Sequence, residues 1–477
     1  MSEPRVLVVG FAMTGRAVAS FYAGRGVAVR AVDDLDPCSE AAEEMRKAAE
    51  AVGADLELAV SNRRLAVLAA SVDRVVLSPG VPPAHPVFAL APADRIVSEI
   101  QLGSEVALEA GIPLVAVTGT NGKTTVTSLV TAMLQASGRG AVAAGNIGRP
   151  LVEAASEGVG VEAPPNRAPE VIVVEASSFQ LAWTTSFRPA VACWLNFAPD
   201  HLDWHHDLDE YARAKARIWR NQEESDAAVW NAEDEVVASA ARQVAARSVP
   251  FGLKLGNGAY REANGRLLTP AGDLIAEVAE LPRGLPHDRS NALAAAASAL
   301  EAGATVGGCR AALMSGVAMP HRIELVAERS GVKFYDDSKA TTPSAVAAAL
   351  AGFASVVLIA GGRNKGLDLG AIPEALVAEE LAGSGPGTGR LRGVVAIGEA
   401  QDQVVAAFSP FVAVERASTM HEAVAVAVGL AEAGDAVLLS PGCASFDWYR
   451  SYGERGDDFS RAVRGRLAGG PSDRRRM

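Results

Sequence analysis

This sequence predicts an α/β protein of three consecutive domains, on three observations. Short runs of β-branched and other apolar residues recur along nearly all of its 477 residues. Ala-rich stretches of helical character separate those runs. Shifts in glycine, proline and charge divide the alternation into blocks. Continuous apolar strands joined by helical crossovers give parallel sheets covered on both faces. Roughly 100–200 residues per domain fits a threefold division.

Strands are expected at 6–9, 28–32, 74–77, 114–117, 171–174, 190–195, 356–359, 394–397 and 436–439, and helices at 125–136, 288–302 and 419–433. The blocks are 1–107, 108–320 and 321–477. Short strands with turn signals at 258–278 form a β appendage on the second block. The Gly/Pro-rich stretch 382–393 reads as a surface loop and the polar tail 469–477 as frayed.

The chain carries 44 basic and 56 acidic residues, a formal net charge of −12. A nucleic-acid or anionic-membrane partner needs a basic face, so neither is expected. Cys38, Cys193, Cys309 and Cys443 form no C-x-x-C pair and read as free thiols in a reducing cytoplasm. No apolar run is long enough to span a membrane, and no signal-peptide layout is present.

The segment AVTGTNGKTT (116–125) raises the first functional question. It ends in Gly122-Lys123-Thr124 as a nucleotide loop does. The pattern G-x-x-x-x-G-K-[ST] needs a glycine at 117, where Val117 stands. A strand before the loop and a helix after it put backbone N–H groups and a helix N-terminus at one point, which favours a phosphate. Lys123 would neutralise outer phosphates, and the Thr124 or Thr125 hydroxyl would reach Mg²⁺. The competing reading, an accidental turn, does not account for that context.

Carboxylates at neighbouring strand ends extend the pattern. Glu175 closes the apolar run of VIVVEASSFQL (171–181), and a buried carboxylate needs a partner. NFAPDHLDWHHDLDEY (196–211) places Asn196, Asp200, His201 and Asp203 after the next strand, the edge where open α/β sheets bind ligands. His201, among acidic neighbours, reads as functional; His205 and His206 read as surface. Tyr211 and Lys215 share one helix face, and Lys215 on its own reads as a solvated lysine.

In order along the chain, TGTNGKTT, VVEASSFQL, LNFAPDHLDWH, YARAKARI, MPHRIE, YDDSKATTP and LSPGCASFDWY resemble the motifs of the Mur ligase family. Those enzymes form amide bonds at the expense of ATP while building the peptide of peptidoglycan. The resemblance covers nearly the whole length, and the ordered set is specific although any single motif is weak. It implies a Rossmann-like N-terminal domain (1–107) for a uridine nucleotide, a central P-loop ATPase-like domain (108–320) and a Rossmann-like C-terminal domain (321–477) for the amino acid. DDSKATTP and LSPGCASFDWYRSYGERGDDF most resemble the member that joins D-glutamate to UDP-N-acetylmuramoyl-L-alanine. The D-N-P-R signature of the diamino-acid-adding relative is absent.

The resemblance implies residue roles. Gly119, Thr120, Asn121, Gly122, Lys123, Thr124 and Thr125 would hold ATP, with Asn291 on the adenine side and Arg322 and Asp337 from the third domain. Thr124, Glu175 and His201 would bind magnesium, joined by Lys215 once carbamylated; Lys123, Glu175, His201 and Lys215 form the catalytic set. Met13, Thr14, Asp33, Asp34, Ser78, Gly80, Asn146 and Ser177 would meet the uridine substrate. Thr341, Lys365, Ser445, Phe446 and Tyr452 would meet D-glutamate. Two positions depart from the family pattern: Asn364 in GGRNKG replaces an aspartate, and Asp288 in HDRSN replaces an amide.

The reaction this implies proceeds through an acyl phosphate, inside a cytoplasmic monomer whose domains close on ATP and substrate. Three competitors remain open at this point: the L-alanine-adding or a folylpolyglutamate ligase of the same superfamily, a nicotinamide dehydrogenase using the first block, and a non-catalytic nucleotide-binding module. The first block's VVGFAMTGRA lacks the G-x-G-x-x-G spacing a dehydrogenase needs.

Overall fold

The computed structural model describes residues 5–157, 169–316, 320–383 and 385–468. The expected frayed tail at 469–477 lies outside the described residues. The chain divides into two compact units. The first comprises residues up to 197 with 204–284 and 288–317; the second comprises 198–203, 285–287 and the chain from 318 onward.

The first unit holds two sheets. One contains β1 (Val6–Val9), β2 (Val29–Asp33), β3 (Ala54–Leu58), β4 (Arg74–Leu77) and β5 (Ile96–Ser98) in the order β3-β2-β1-β4-β5. Its pairings are all parallel. The other contains β6 (Leu114–Thr118), β7 (Ala141–Gly145), β8 (Val171–Glu175), β9 (Val191–Trp194), β10 (Ala227–Asn231), β11 (Arg247–Gly252), β12 (Tyr260–Ala263), β13 (Arg266–Leu268) and β14 (Leu274–Glu277). Its order is β14-β13-β12-β11-β10-β9-β6-β8-β7. The expected appendage is present: β12, β13 and β14 pair antiparallel at one edge.

The second unit holds β15 (Glu324–Arg329), β16 (Val332–Asp336), β17 (Val356–Gly361), β18 (Leu391–Ile397), β19 (Val414–Arg416) and β20 (Ala436–Leu439), in the order β15-β16-β20-β17-β18-β19. Strand β15 is antiparallel to β16; the remaining pairings are parallel.

Strands β6, β8 and β9 are buried at every position, as continuous apolar runs require of a doubly covered sheet. Each such Val, Ile or Leu contributes about 1.5–3 kcal/mol of transfer free energy. One apolar cluster joins the first two sheets: Val6, Val8, Ile100 and Val106 share it with Ala116, Leu151, Val174 and Trp194. The helix Glu99–Glu109 runs through position 107 and packs on the helix Leu151–Ser156.

The segment 382–393 is not one surface loop. A short 3₁₀ turn over Gly387–Arg390 leads into β18, and Arg390 is buried. Its guanidinium donates to the carbonyls of Leu350 and Phe353 and pairs with Glu379. Glycine and proline signalled a loop, but tertiary contacts made through one arginine turn its second half into packed structure.

Candidate functional site

The phosphate-type loop joins β6 to the helix Lys123–Ala136. Gly119 has φ +155 and Gly122 has φ +85. A Cβ on Gly122 would lie 2.6 Å from Asn291 Oδ1, so glycine is what lets Asn291 sit against the loop. Val117 is a core residue of β6, which makes the loop a short one that begins after Thr118.

The loop is clamped from β9. Asn196 Oδ1 accepts from Asn121 N at 2.8 Å, and its Nδ2 donates to Asn121 O at 3.1 Å. Thr120 N donates to Asn196 O at 3.1 Å. This reciprocal clamp, absent from the expected site set, follows only from the pairing of β6 with β9.

Two lysines converge on the loop carbonyls. Lys123 Nζ donates to Gly119 O and Thr120 O, each at 2.9 Å. Lys215 Nζ donates to Gly119 O at 2.7 Å and lies 4.5 Å from the Tyr211 ring centroid. Lys215 is 1% exposed, so it is no solvated lysine. The pairing of Tyr211 and Lys215 on one helix face holds, and Tyr211 Oη lies 3.3 Å from Thr120 Oγ1.

His205 is buried rather than on the surface. Its Nε2 lies 2.9 Å from Ser178 Oγ, and its ring stacks among Phe179, Trp204 and Tyr211. The polar context of HHDLDE concealed this: Trp204 and Tyr211 are near in sequence, but Phe179 and the hydrogen-bond partner Ser178 come from the helix after β8. His206 is exposed as expected.

Glu175 ends β8 in register with Val117 and is 3% exposed. Its Oε1 accepts from Asn146 Nδ2 at 2.9 Å. Its Oε2 is buried without a partner, and so is Thr125 Oγ1. Ser177 caps the next helix through a capping box with Gln180. Among the described residues no three His, Cys, Asp or Glu side chains gather into a metal cluster. Mg²⁺ near a nucleotide takes one or two carboxylates and completes its shell with phosphate and water oxygens, so the open valences of Glu175 and Thr125 suit it.

In the first sheet, Gly10 has φ +83, and a Cβ on Gly15 would lie 2.1 Å from Gly10 O. The turn is therefore shaped for close helix–strand packing. Both Asp33 oxygens are taken by the backbone, Oδ2 by Phe11 N at 2.7 Å and Oδ1 by Leu35 N at 3.0 Å. Ser78 Oγ donates to Gly10 O at 2.7 Å. Asp34, Gly80 and Met13 are exposed and Thr14 half-buried. Asp34 Oδ2 lies 3.4 Å from His85 Nε2.

His201 belongs to the second unit with segment 198–203. It has φ +56, and its Nε2 lies 3.2 Å from Asp200 Oδ2.

Three loops follow the adjacent strands β16, β20 and β17 of the second unit. The first carries Asp337, Ser338, Lys339 and Thr341; Asp337 Oδ2 accepts from Ser440 Oγ at 2.8 Å. The second and third are joined by backbone bonds between Arg363 and Ala444, which bring the Lys365 stretch beside Ser445. Phe446 and Tyr452 are exposed, Ser445 buried, and Thr341, Lys365 and Arg322 half-buried. Arg455, which the expected site set lacks, ties the loops together: Nε donates to Ser338 Oγ, Nη2 to Ser338 O and Nη1 to Cys443 O. Burial pulls its guanidinium down to about 10.

Asp336 is held above the usual carboxylate range by burial, offset in part by His321 Nδ1 at 2.7 Å. Both departures from the expected motifs have local uses. Asn364 closes its own turn onto Leu367, and Asp288 pairs with Arg283 at 2.8 Å.

The Mur ligase middle-domain model matches residues 117–299, and the Mur ligase glutamate-ligase-domain model matches 321–443. UDP-N-acetylmuramoylalanine--D-glutamate ligase of Geobacter metallireducens is 38% identical, over 97% of this chain and 98% of its own. The ligase of the same name from Frankia casuarinae is 41% identical, over 97% and 94%. Among solved structures, a MurF ligase from Thermotoga maritima in complex with ADP shares the fold at TM-score 0.57 and 15% identity, covering 92% of this chain and 96% of that one.

Proposed function

The chain belongs to the Mur ligase family, and from that premise we infer that it joins D-glutamate to UDP-N-acetylmuramoyl-L-alanine with consumption of ATP, in peptidoglycan precursor synthesis. The observation that carries this reading is near-full-length identity to curated ligases of that name.

A carboxylate is a poor electrophile because oxide would have to leave. Transfer of the γ-phosphoryl group to it gives an acyl phosphate, ADP departing. The D-glutamate amine then forms the amide bond, and phosphate leaves with the former carboxylate oxygen. Lys123 and the loop N–H groups oppose the charge spread over the phosphoryl oxygens. Glu175 and the Thr124 or Thr125 hydroxyl are the groups that would hold Mg²⁺, with His201 as a further ligand; the ion supplies charge neutralisation on the phosphates. Asn291, against Gly122, supports an adenine-side role.

Lys215, buried beside the loop, is the residue we assign to carbamylation: its neutral amine adds CO₂ and releases a proton, leaving an anion in place of a cation. Residues 1–107 take the uridine nucleotide, and residues 321–477 take D-glutamate through Thr341, Lys365, Ser445, Phe446 and Tyr452. Arg322 and Asp337 reach the nucleotide in this reading. Among the described residues no helix is long and apolar enough to cross a membrane. A nucleotide-activated substrate used with ATP supports a cytoplasmic site of action, and we take the enzyme as a monomer.

The test is phosphate release by the purified protein with ATP, Mg²⁺, UDP-N-acetylmuramoyl-L-alanine and each amino acid in turn. Release is expected with D-glutamate. Release with L-glutamate or L-alanine but not D-glutamate overturns the assignment.

A further inference from the structure

We propose that Asn146 is the positioning residue of Glu175, holding one carboxylate oxygen so that the other is presented to a divalent cation. This rests on the reading that Glu175 is a cation ligand, and it gives Asn146 a role other than contact with the uridine substrate.

Asn146 grips Glu175 twice. Its backbone N donates to Glu175 O at 2.8 Å, and its Nδ2 donates to Glu175 Oε1 at 2.9 Å. The residue before it makes the grip tight. Gly145 pairs with Glu175 in the β7–β8 register and has φ +97; a Cβ there would lie 2.5 Å from Glu175 O. Gly145 N is itself held by Arg149 O at 2.9 Å, which closes the turn after β7. The Gly145-Asn146 dipeptide is thus built around Glu175.

What the grip leaves over points to the cation. Glu175 is 3% exposed, and its Oε2 has no partner. An unsatisfied oxygen on a buried carboxylate is costly, and a bound cation removes that cost. Fixing Oε1 selects the orientation in which Oε2 stays available. Hydrogen bonds to ligating carboxylates are the usual way a metal site sets ligand direction, and losing one weakens affinity about 10–100-fold.

The test titrates Mn²⁺ into the full chain with ADP present and follows free Mn²⁺ by electron paramagnetic resonance. Asn146→Ala is expected to weaken Mn²⁺ binding about 10–100-fold, while ADP affinity in chelator stays at the wild-type value. Asn146→Ser, which keeps a short polar group, serves if the alanine variant fails to fold. Mn²⁺ affinity within about twofold of wild type, with a raised KM for the uridine substrate, overturns the proposal and makes Asn146 a substrate contact. Glu175→Gln separates the two levels: if it too binds Mn²⁺ normally, the cation-ligand reading of Glu175 falls, and the role of Asn146 with it.

Discussion

Lys215 Nζ and the carbonyl of Gly119 lie 2.7 Å apart, in a pocket where the lysine is 1% exposed. The residue that looked most ordinary in the sequence therefore touches the first glycine of the phosphate loop.

Replacing Lys215 tests that contact. Lys215→Met keeps the apolar stem and removes the charge. Gly119 O retains its bond from Lys123, so the loop should keep its shape. D-glutamate-dependent phosphate release should fall by about 100-fold or more, with the circular dichroism spectrum unchanged. Wild-type protein supplied with ¹³C-bicarbonate should show a carbamate carbonyl resonance that the Met variant lacks.

Glu99 makes stability depend on pH. Burial pushes its carboxyl up to about 7, against the bonds it accepts from the backbone of Val152 and Leu151. A folded-state value above the unfolded one means the native state binds the proton more tightly. Glu99's favourable contribution is complete below the unfolded value near 4.5 and is lost as pH rises through about 7. Glu99→Gln keeps an acceptor for Val152 N and abolishes the titration. Thermal melts should show the variant more stable at pH 8, by roughly 2–3 kcal/mol, with the advantage shrinking toward pH 5.

Arg455 binds three loop acceptors from one rigid fork. Lysine carries its donors on a single nitrogen and lacks the rigid planar fork that serves Ser338 and Cys443 from separate nitrogens. Arg455→Lys should destabilise the C-terminal unit by about 2–4 kcal/mol in urea unfolding, through buried acceptors left unmade. It should also raise the KM for D-glutamate more than the KM for ATP.

Thiol chemistry provides a fourth check. Cys193, Cys309 and Cys443 are buried, and burial pushes each up to about 12, whereas Cys38 is exposed. Alkylation of native protein at pH 8 should modify Cys38 alone by peptide mapping and leave activity intact.

The fold was legible where burial is continuous. Strands such as β6, β8 and β17 are apolar at nearly every position, because both faces are covered, and their runs stand out. The three-residue strands β5 and β19 are too short to show periodicity; neighbouring strands make them strands. The site was legible where backbone chemistry demands particular residues, as at Gly122-Lys123. It was not legible at His205 and Arg455, and Asn196, placed by the sequence at a ligand-binding strand edge, gave no sign of its clamp on Asn121. Those contacts form only when the fold brings each residue against a segment far away in sequence.

The apolar cluster shared by the first two sheets has a practical corollary for dissecting the enzyme. Gly103 has no room for a side chain: a Cβ there would lie 2.5 Å from Leu151 Cγ. That helix–helix seam is as close as a domain interior. A gene cut near codon 107 would give two halves, each with a raw sticky face. Expressed singly they should collect in inclusion bodies; co-expressed, they should reassemble into a split enzyme that copurifies on a single tag.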